Sequence, residues 1–299
     1  MSVCPSVCLS VCLDRHWKQR LYVTAAQKNA HAALQQQLQQ QHGAPAKASQ
    51  HAAGGPGAGG FLAYPEDPNC TMEDAHWSTA LRQRLGLHRA EYSQLELPTA
   101  RETCSRSTAA GVTCGHPLDG AGTHAATCKS GGGVMQKHTR LESAVCGLIT
   151  RWTLQKPLRN QRVPTWDRQL DTPSGPRTEA AILDIEYTDG GIRRWIDVTV
   201  RHPACGSLAE VNQAARRAGE AARRAERQKH TRYPGDALTA FAVETYGRVG
   251  AEARQWLRRL AAALPDDTRT AEITRAYKVI SCAVQAELAE QLRAASSLR

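Results

Sequence analysis

Two acidic residues in an otherwise apolar stretch carry the clearest chemical signal of the chain. They stand as Asp184-x12-Asp197, in Glu179-Ala-Ala-Ile-Leu-Asp184-Ile-Glu-Tyr-Thr-Asp-Gly-Gly-Ile-Arg-Arg-Trp-Ile-Asp197-Val-Thr-Val200. The Asp189-Gly190-Gly191 triplet between the two apolar runs is a hairpin turn signal. Side chains alternate along a strand. Ala181, Leu183, Ile185 and Tyr187 therefore share one face in the first run, and Ile196, Val198 and Val200 share one in the second. Asp184 and Asp197 fall on the opposite face. If the runs pair, the two carboxylates converge, an arrangement suited to a divalent cation such as Mg²⁺ and to phosphodiester hydrolysis. The plainer alternative for Asp184 is a strand-edge carboxylate paired with an arginine. Asp197, in an apolar run, needs a metal or a partner in either case.

A second group lies upstream. Cys104, Cys114, His124 and Cys128 are spaced C-x9-C-x9-H-x3-C, and three thiolates with one imidazole suit a tetrahedral structural Zn²⁺. The stretch from Cys114 to Cys128 is rich in Gly and has too few large residues to fold without a cross-link. The spacing from Cys104 is loose, so His116 or His138 is an alternative fourth ligand, and unliganded thiols are the alternative to a site. Ten cysteines show no evident disulfide framework. Cys4, Cys8 and Cys12 belong to a short repeat that reads as translated nucleotide repeat, without a structural role.

These groups need a scaffold. Residues 1–60, with a Gln tract and a Gly/Ala/Pro-rich stretch, are expected to be disordered, and 61–103 form a helical connector with a helix over Trp77–Leu85. After the zinc-binding segment, 104–130, the remainder, 131–299, reads as one α/β domain. Val134, His138, Leu141, Val145, Leu148, Ile149 and Trp152 recur at helical spacing. Residues 155–178 are expected to be mostly loop. The hairpin follows, then one helix over Leu208–His230, a buried strand over Ala237–Glu244, and closing helices over Gly247–Leu264 and Ala271–Leu292. Trp152, Trp195 and Trp256 are expected in the core.

The formal net charge of +10 favours an anionic partner. Half of it sits in residues 201–232, where eight Lys/Arg face three Glu. No apolar run reaches the roughly 18 residues of a membrane span, so no membrane partner is expected.

The order of these features resembles the C-terminal region of pol-type proteins of non-LTR retrotransposons that carry a restriction-endonuclease-like domain. The matching residues are the Cys/His cluster, Gly131-Gly-Gly-x4-His138-x2-Leu141, Asp184-x12-Asp197, the basic helix ending Lys229-His-Thr-Arg-Tyr233, and Val243-Glu-Thr-Tyr-Gly247, over roughly 61–299. The resemblance implies a PD-(D/E)xK-type core behind a CCHC zinc segment, nicking DNA with Mg²⁺ in the nucleus, with element RNA as a further ligand. It also implies a polymerase portion as partner, although nothing in this chain resembles one. Carried over, Asp184 and Asp197 are the metal-binding pair and Glu142 a further acidic ligand, with a helix-surface position as its alternative. Thr199 stands where the motif lysine would be, and Ile182-Leu183 where a basic residue and proline would precede the first aspartate. Lys229 is the candidate for a migrated lysine, with a solvated charge as its alternative. Arg216, Arg217, Arg223, Arg224 and Arg227 would bind backbone phosphates. The departures leave a second reading, a catalytically dead zinc-containing nucleic-acid-binding remnant of the same element. A third is an unselected translated remnant that folds poorly.

Overall fold

The computed structural model describes residues 43–63, 65, 68–84, 103–118, 122–173 and 175–295. The cysteine repeat and the Gln tract lie outside them. At the centre is a four-stranded sheet, β1 (Leu158–Arg162), β4 (Ile182–Asp189), β5 (Ile192–Arg201) and β6 (Leu238–Glu244), in that spatial order. β2 (Arg168–Thr172) and β3 (Gly175–Glu179) form a separate hairpin. β1 and β4 run antiparallel, as do β4 and β5, whereas β6 lies parallel to β5. That parallel step requires a crossover, which is supplied by helices α5 (Leu208–Arg216) and α6 (Glu220–Arg232). The remaining helices are α1 (residues 43–53), α2 (Asp74–Arg84), α3 (Thr123–Thr127), α4 (Gly133–Thr153), α7 (Ala251–Ala261) and α8 (Asp266–Ala295). None among the described residues is long and apolar enough to cross a membrane.

The expected mixed α/β architecture is present. The main core lies between one sheet face and α4, α7 and α8. Leu141, Val145, Leu148, Ile149 and Trp152 of α4 meet Ile185, Tyr187, Ile196 and Val198 of the hairpin, together with Phe241, Trp256, Leu257 and Ile280. Trp256 is fully enclosed and donates its indole N–H to the Tyr187 hydroxyl at 2.8 Å, so its one polar atom is satisfied. α4 stops where Leu154 turns left-handed (φ 59°) and returns its N–H to the Thr150 carbonyl. Two members of the expected stripe lie off it: Val134 is exposed, and His138 turns toward the sheet hairpin. Trp195 is only partly buried, packed edge-on against Trp166 in a smaller cluster.

Three stretches differ from expectation. Residues 43–60 are ordered where disorder was expected: α1 sets Ala48 against Ala214 and Ala215 of α5, and in the turn after it the Pro56 carbonyl accepts the Val249 N–H. Ala side chains permit that close approach. Residues 155–178 hold three strands rather than loop, all largely exposed and polar. The single helix expected over 208–230 is two, because Gly219 adopts φ 80° and starts α6 in a new direction.

α8 spans 30 residues, about 45 Å. It is buried around much of its circumference. Ile280 and Val284 face the main core, Leu288, Leu292 and Ala295 meet the Cys/His segment, and Val279, Cys282 and Ala289 meet Phe61 and Ala80.

Candidate functional site

The Cys/His segment closes on itself through short backbone bonds. Cys104 N–H donates to the His116 carbonyl at 2.8 Å, Gly115 N–H to the Cys104 carbonyl at 3.0 Å, and Cys114 N–H to the Arg106 carbonyl at 2.7 Å. Gly111 and Gly115, both at positive φ, make the turns. α3 then carries His124 and delivers Cys128. The four ligand atoms of Cys104, Cys114, His124 and Cys128 lie within 4.8 Å of one another. The sulfur of Cys128 is 3.8 Å from that of Cys104 and 3.7 Å from that of Cys114. A tetrahedral ion with bonds of about 2.3 Å sets its sulfurs about 3.8 Å apart, so the spacing fits a metal such as zinc. Cys104, rather than His116 or His138, completes the candidate set: His116 stacks on His124 with ring centres 4.5 Å apart, and His138 is engaged elsewhere. Burial, with the neighbouring thiols adding, pushes the Cys104 thiol up to about 11. A bound cation would offset that penalty.

The hairpin register pairs Ile185 with Ile196. One step further along, Asp184 faces Asp197. In place of a ladder bond, Val198 N–H donates to Asp184 Oδ2 at 2.6 Å. His138 of α4 lies 3.1 Å from the same oxygen, and Lys229 of α6 lies 2.7 Å from Asp197 Oδ2. Asp197 is 4% exposed. Burial pushes its carboxyl up to about 6, with the Asp184 charge adding and Lys229 opposing. For Asp184 burial also acts upward, but the hydrogen bond and charge of His138, joined by the Val198 N–H, outweigh it and hold this carboxyl below its usual range. His138 is raised in turn, first by its bond to Asp184. The two aspartates have therefore been driven apart in acidity, a pattern common where a site has work to do.

Glu142 lies one helical turn after His138 on α4 and is buried, not on the helix surface. Arg159 Nε is 3.4 Å from its Oε1, and its carboxyl is raised, first by burial, then by the Asp184 charge acting against Arg159. Lys229 is mostly covered and ion-paired. Thr199 follows Asp197 by two residues on the same strand face and is nearly buried. The arginines of the crossover are less free than their number suggests. Arg223 and Arg227 both bind Glu220, which is 1% exposed, and Arg217 lies 3.9 Å from it. Arg224 lies 3.3 Å from Glu210 and donates to the Cys205 carbonyl. Arg216 stays exposed at the end of α5.

Neither a protein-family model nor a curated protein matches the chain. The functional reading therefore stands on geometry. His138 is the member of the acidic centre that periodicity assigned elsewhere. Its place four residues before Glu142, at the edge of the apolar stripe, was the available signal.

Proposed function

We propose that the chain is a metal-dependent endonuclease domain that hydrolyses a phosphodiester bond of DNA at the Asp184–Asp197 centre. The observation that carries this reading is the pair of aspartates in side-chain contact, with Lys229 at 2.7 Å from Asp197. The residues suit Mg²⁺: one buried and one partly buried carboxylate offer hard oxygen donors, and the pKa of Asp197, raised first by burial, marks an ionised form that a dication would stabilise. Bound there, the ion would activate water and stabilise charge on the attacked phosphate. Lys229 is placed to leave Asp197 and meet the phosphate, doing from α6 what a lysine at position 199 would do from the strand. His138 fixes the orientation of Asp184, and Glu142, whose carboxyl feels the Asp184 charge, is a further acidic group next to the pair. The Cys₃His group is read as a structural zinc site that positions the segment beside α4. A restriction-endonuclease-like core, an origin in a non-LTR retrotransposon, a polymerase portion as partner and action in the nucleus belong to the same proposal and rest on the ordered resemblance.

A supercoiled-plasmid nicking assay tests it. Nicking should require Mg²⁺ and vanish in Asp184→Ala and Asp197→Ala. One observation favours the dead-core reading: both carboxylates already have partners, His138 on Asp184 and Lys229 on Asp197, so the centre is satisfied without a metal. Salt-sensitive DNA binding with no nicking in Mg²⁺ or Mn²⁺ would select that reading.

A further inference from the structure

Beside the acidic pair lies a cleft of about 510 Å³ bounded by the end of the Cys/His segment, the start of α4, the end of β5 and the α5–α6 crossover. Lys129, Lys137, Arg201 and Arg224 line it, against one carboxylate, Glu210, which is paired to Arg224. Lys137 is the unusual member. It is 4% exposed, yet among the described residues its ammonium group has a single hydrogen bond, to the Ala126 carbonyl at 3.0 Å. No carboxylate of the described residues lies within ion-pair distance of it. Its nearest acidic influence, Glu287, is itself held by Arg140 at 2.7 Å. Burial accordingly pulls its pKa down to about 8. A buried ammonium with donors to spare, facing a cleft, is an incomplete arrangement that an anion would complete.

The cleft is continuous with the acidic centre. His138, which holds Asp184, and Thr199 both line it. Thr199 lies about 6.6 Å along β5 from Asp197, two residues at roughly 3.3 Å each. That distance is about one phosphate-to-phosphate step of a nucleic-acid strand. We propose that this cleft seats the backbone phosphate next to the one attacked, with Lys137 and Arg201 as its principal donors and Arg224 closing the far side. The nature of the strand rests on the endonuclease reading; the anion site itself does not. The site would fix which bond reaches the aspartates, since a phosphate held one step away sets the register of the chain.

The test separates binding from cleavage. A fluorescein-labelled DNA duplex is titrated with full-length protein in buffer free of Mg²⁺, with zinc retained, for wild type, Lys137→Met and Arg201→Gln. Each variant should bind about tenfold more weakly at low salt. The slope of log affinity against log salt should become shallower by about 0.9, the loss of one phosphate contact. Unchanged affinity and slope in both variants would overturn the assignment. If Lys137→Met loses zinc, Arg201→Gln, on an exposed residue, decides alone. If duplex binding is unaltered while inorganic phosphate, followed by ³¹P NMR, binds wild type and not the variants, the cleft takes a free phosphate and the strand assignment is overturned. Absence of nicking by wild type would remove the endonuclease reading and leave these binding results intact.

Discussion

Replacing Asp197 by Asn should make the metal-free protein more stable while abolishing cleavage. A carboxyl moved from 3.8 to about 6 has its ionised form disfavoured in the folded protein by on the order of 3 kcal/mol, relative to the unfolded chain. The sign follows from the direction of the shift. A raised carboxyl gives full stability below the unfolded value, and that stability is lost as pH rises through about 6. The reference for this loss is the neutral side chain, which Asn imitates in shape, and the Asn amide can donate to Asp184. The attraction of Lys229 is already contained in the net shift. At pH 8 without Mg²⁺, Asp197→Asn should therefore be more stable by about 1–3 kcal/mol, or several degrees in Tm for a protein of this size. Near pH 4 the two proteins should coincide. Urea and thermal unfolding across pH, with zinc present throughout, measure this directly. Added Mg²⁺ should raise the wild type alone and narrow the gap. A variant that melts earlier than wild type at pH 8, or a gap that does not close toward pH 4, would refute the electrostatic account of this centre.

Four further outcomes are expected. Chelation of the Cys₃His group should unfold residues 104–128 and leave the main core standing, because structural zinc contributes roughly 10–16 kcal/mol in isolated finger peptides. Proteolysis confined to that segment, with the fluorescence of the enclosed Trp256 unchanged, would check it. Gly60→Ala should destabilise by about 1–3 kcal/mol, since its Cβ would meet the Tyr277 carbonyl oxygen at 2.7 Å and the Lys278 Cα at 2.9 Å. Gly147→Ala, in the middle of α4 with nothing within 4 Å, should stabilise by about 0.5–1 kcal/mol, and paired thermal melts compare the two. Glu272, held down to about 2 chiefly by hydrogen bonds from Arg151, with the Trp152 indole helping and burial opposing, should lose its contribution as pH falls from 4.5 toward 2. Because Arg151 is half exposed, Glu272→Gln should trail wild type by only about 1 kcal/mol at pH 7, and their urea midpoints should converge in acid.

The faces of β4 and β5 were legible because strict alternation leaves one register that buries Leu183, Ile185, Ile196 and Val198 together. The same alternation sets Asp184 and Asp197 on the opposite face, where they can converge if the strands pair. β1 to β3 were not legible. Leu158-Arg-Asn-Gln-Arg and its neighbours are edge or hairpin strands with no buried face, and Asn160 even takes φ 53°, so no apolar period marks them. Order in 43–60 was hidden for another reason. Ala and Gly look like a linker until a partner surface is known, and that surface, on α5, lies some 160 residues away. The break at Gly219 was masked by the strong helix propensity of the Ala, Arg and Glu around it. Lys137 reads as an ordinary helix residue and His138 as a member of the apolar stripe or an alternative zinc ligand, since their contacts depend on Ala126 and on Asp184, and neither is implied by spacing on α4.

α8 bears on how the chain reaches this state. Ser105 N–H donates to the Ala295 carbonyl, Phe61 N–H to the Ser281 hydroxyl, and His76 pairs with Glu290. Each of these partners is separated by about 190 to 220 residues of sequence. During synthesis the Cys/His segment and the stretch around Phe61 emerge long before the helix that seats them. They must wait with apolar surface uncovered until these distant pairings form, which slows folding. Early capture of zinc would let the Cys/His segment hold its own shape in that interval. The stretch around Phe61 has no such aid and is the part of the nascent chain most exposed to misassembly.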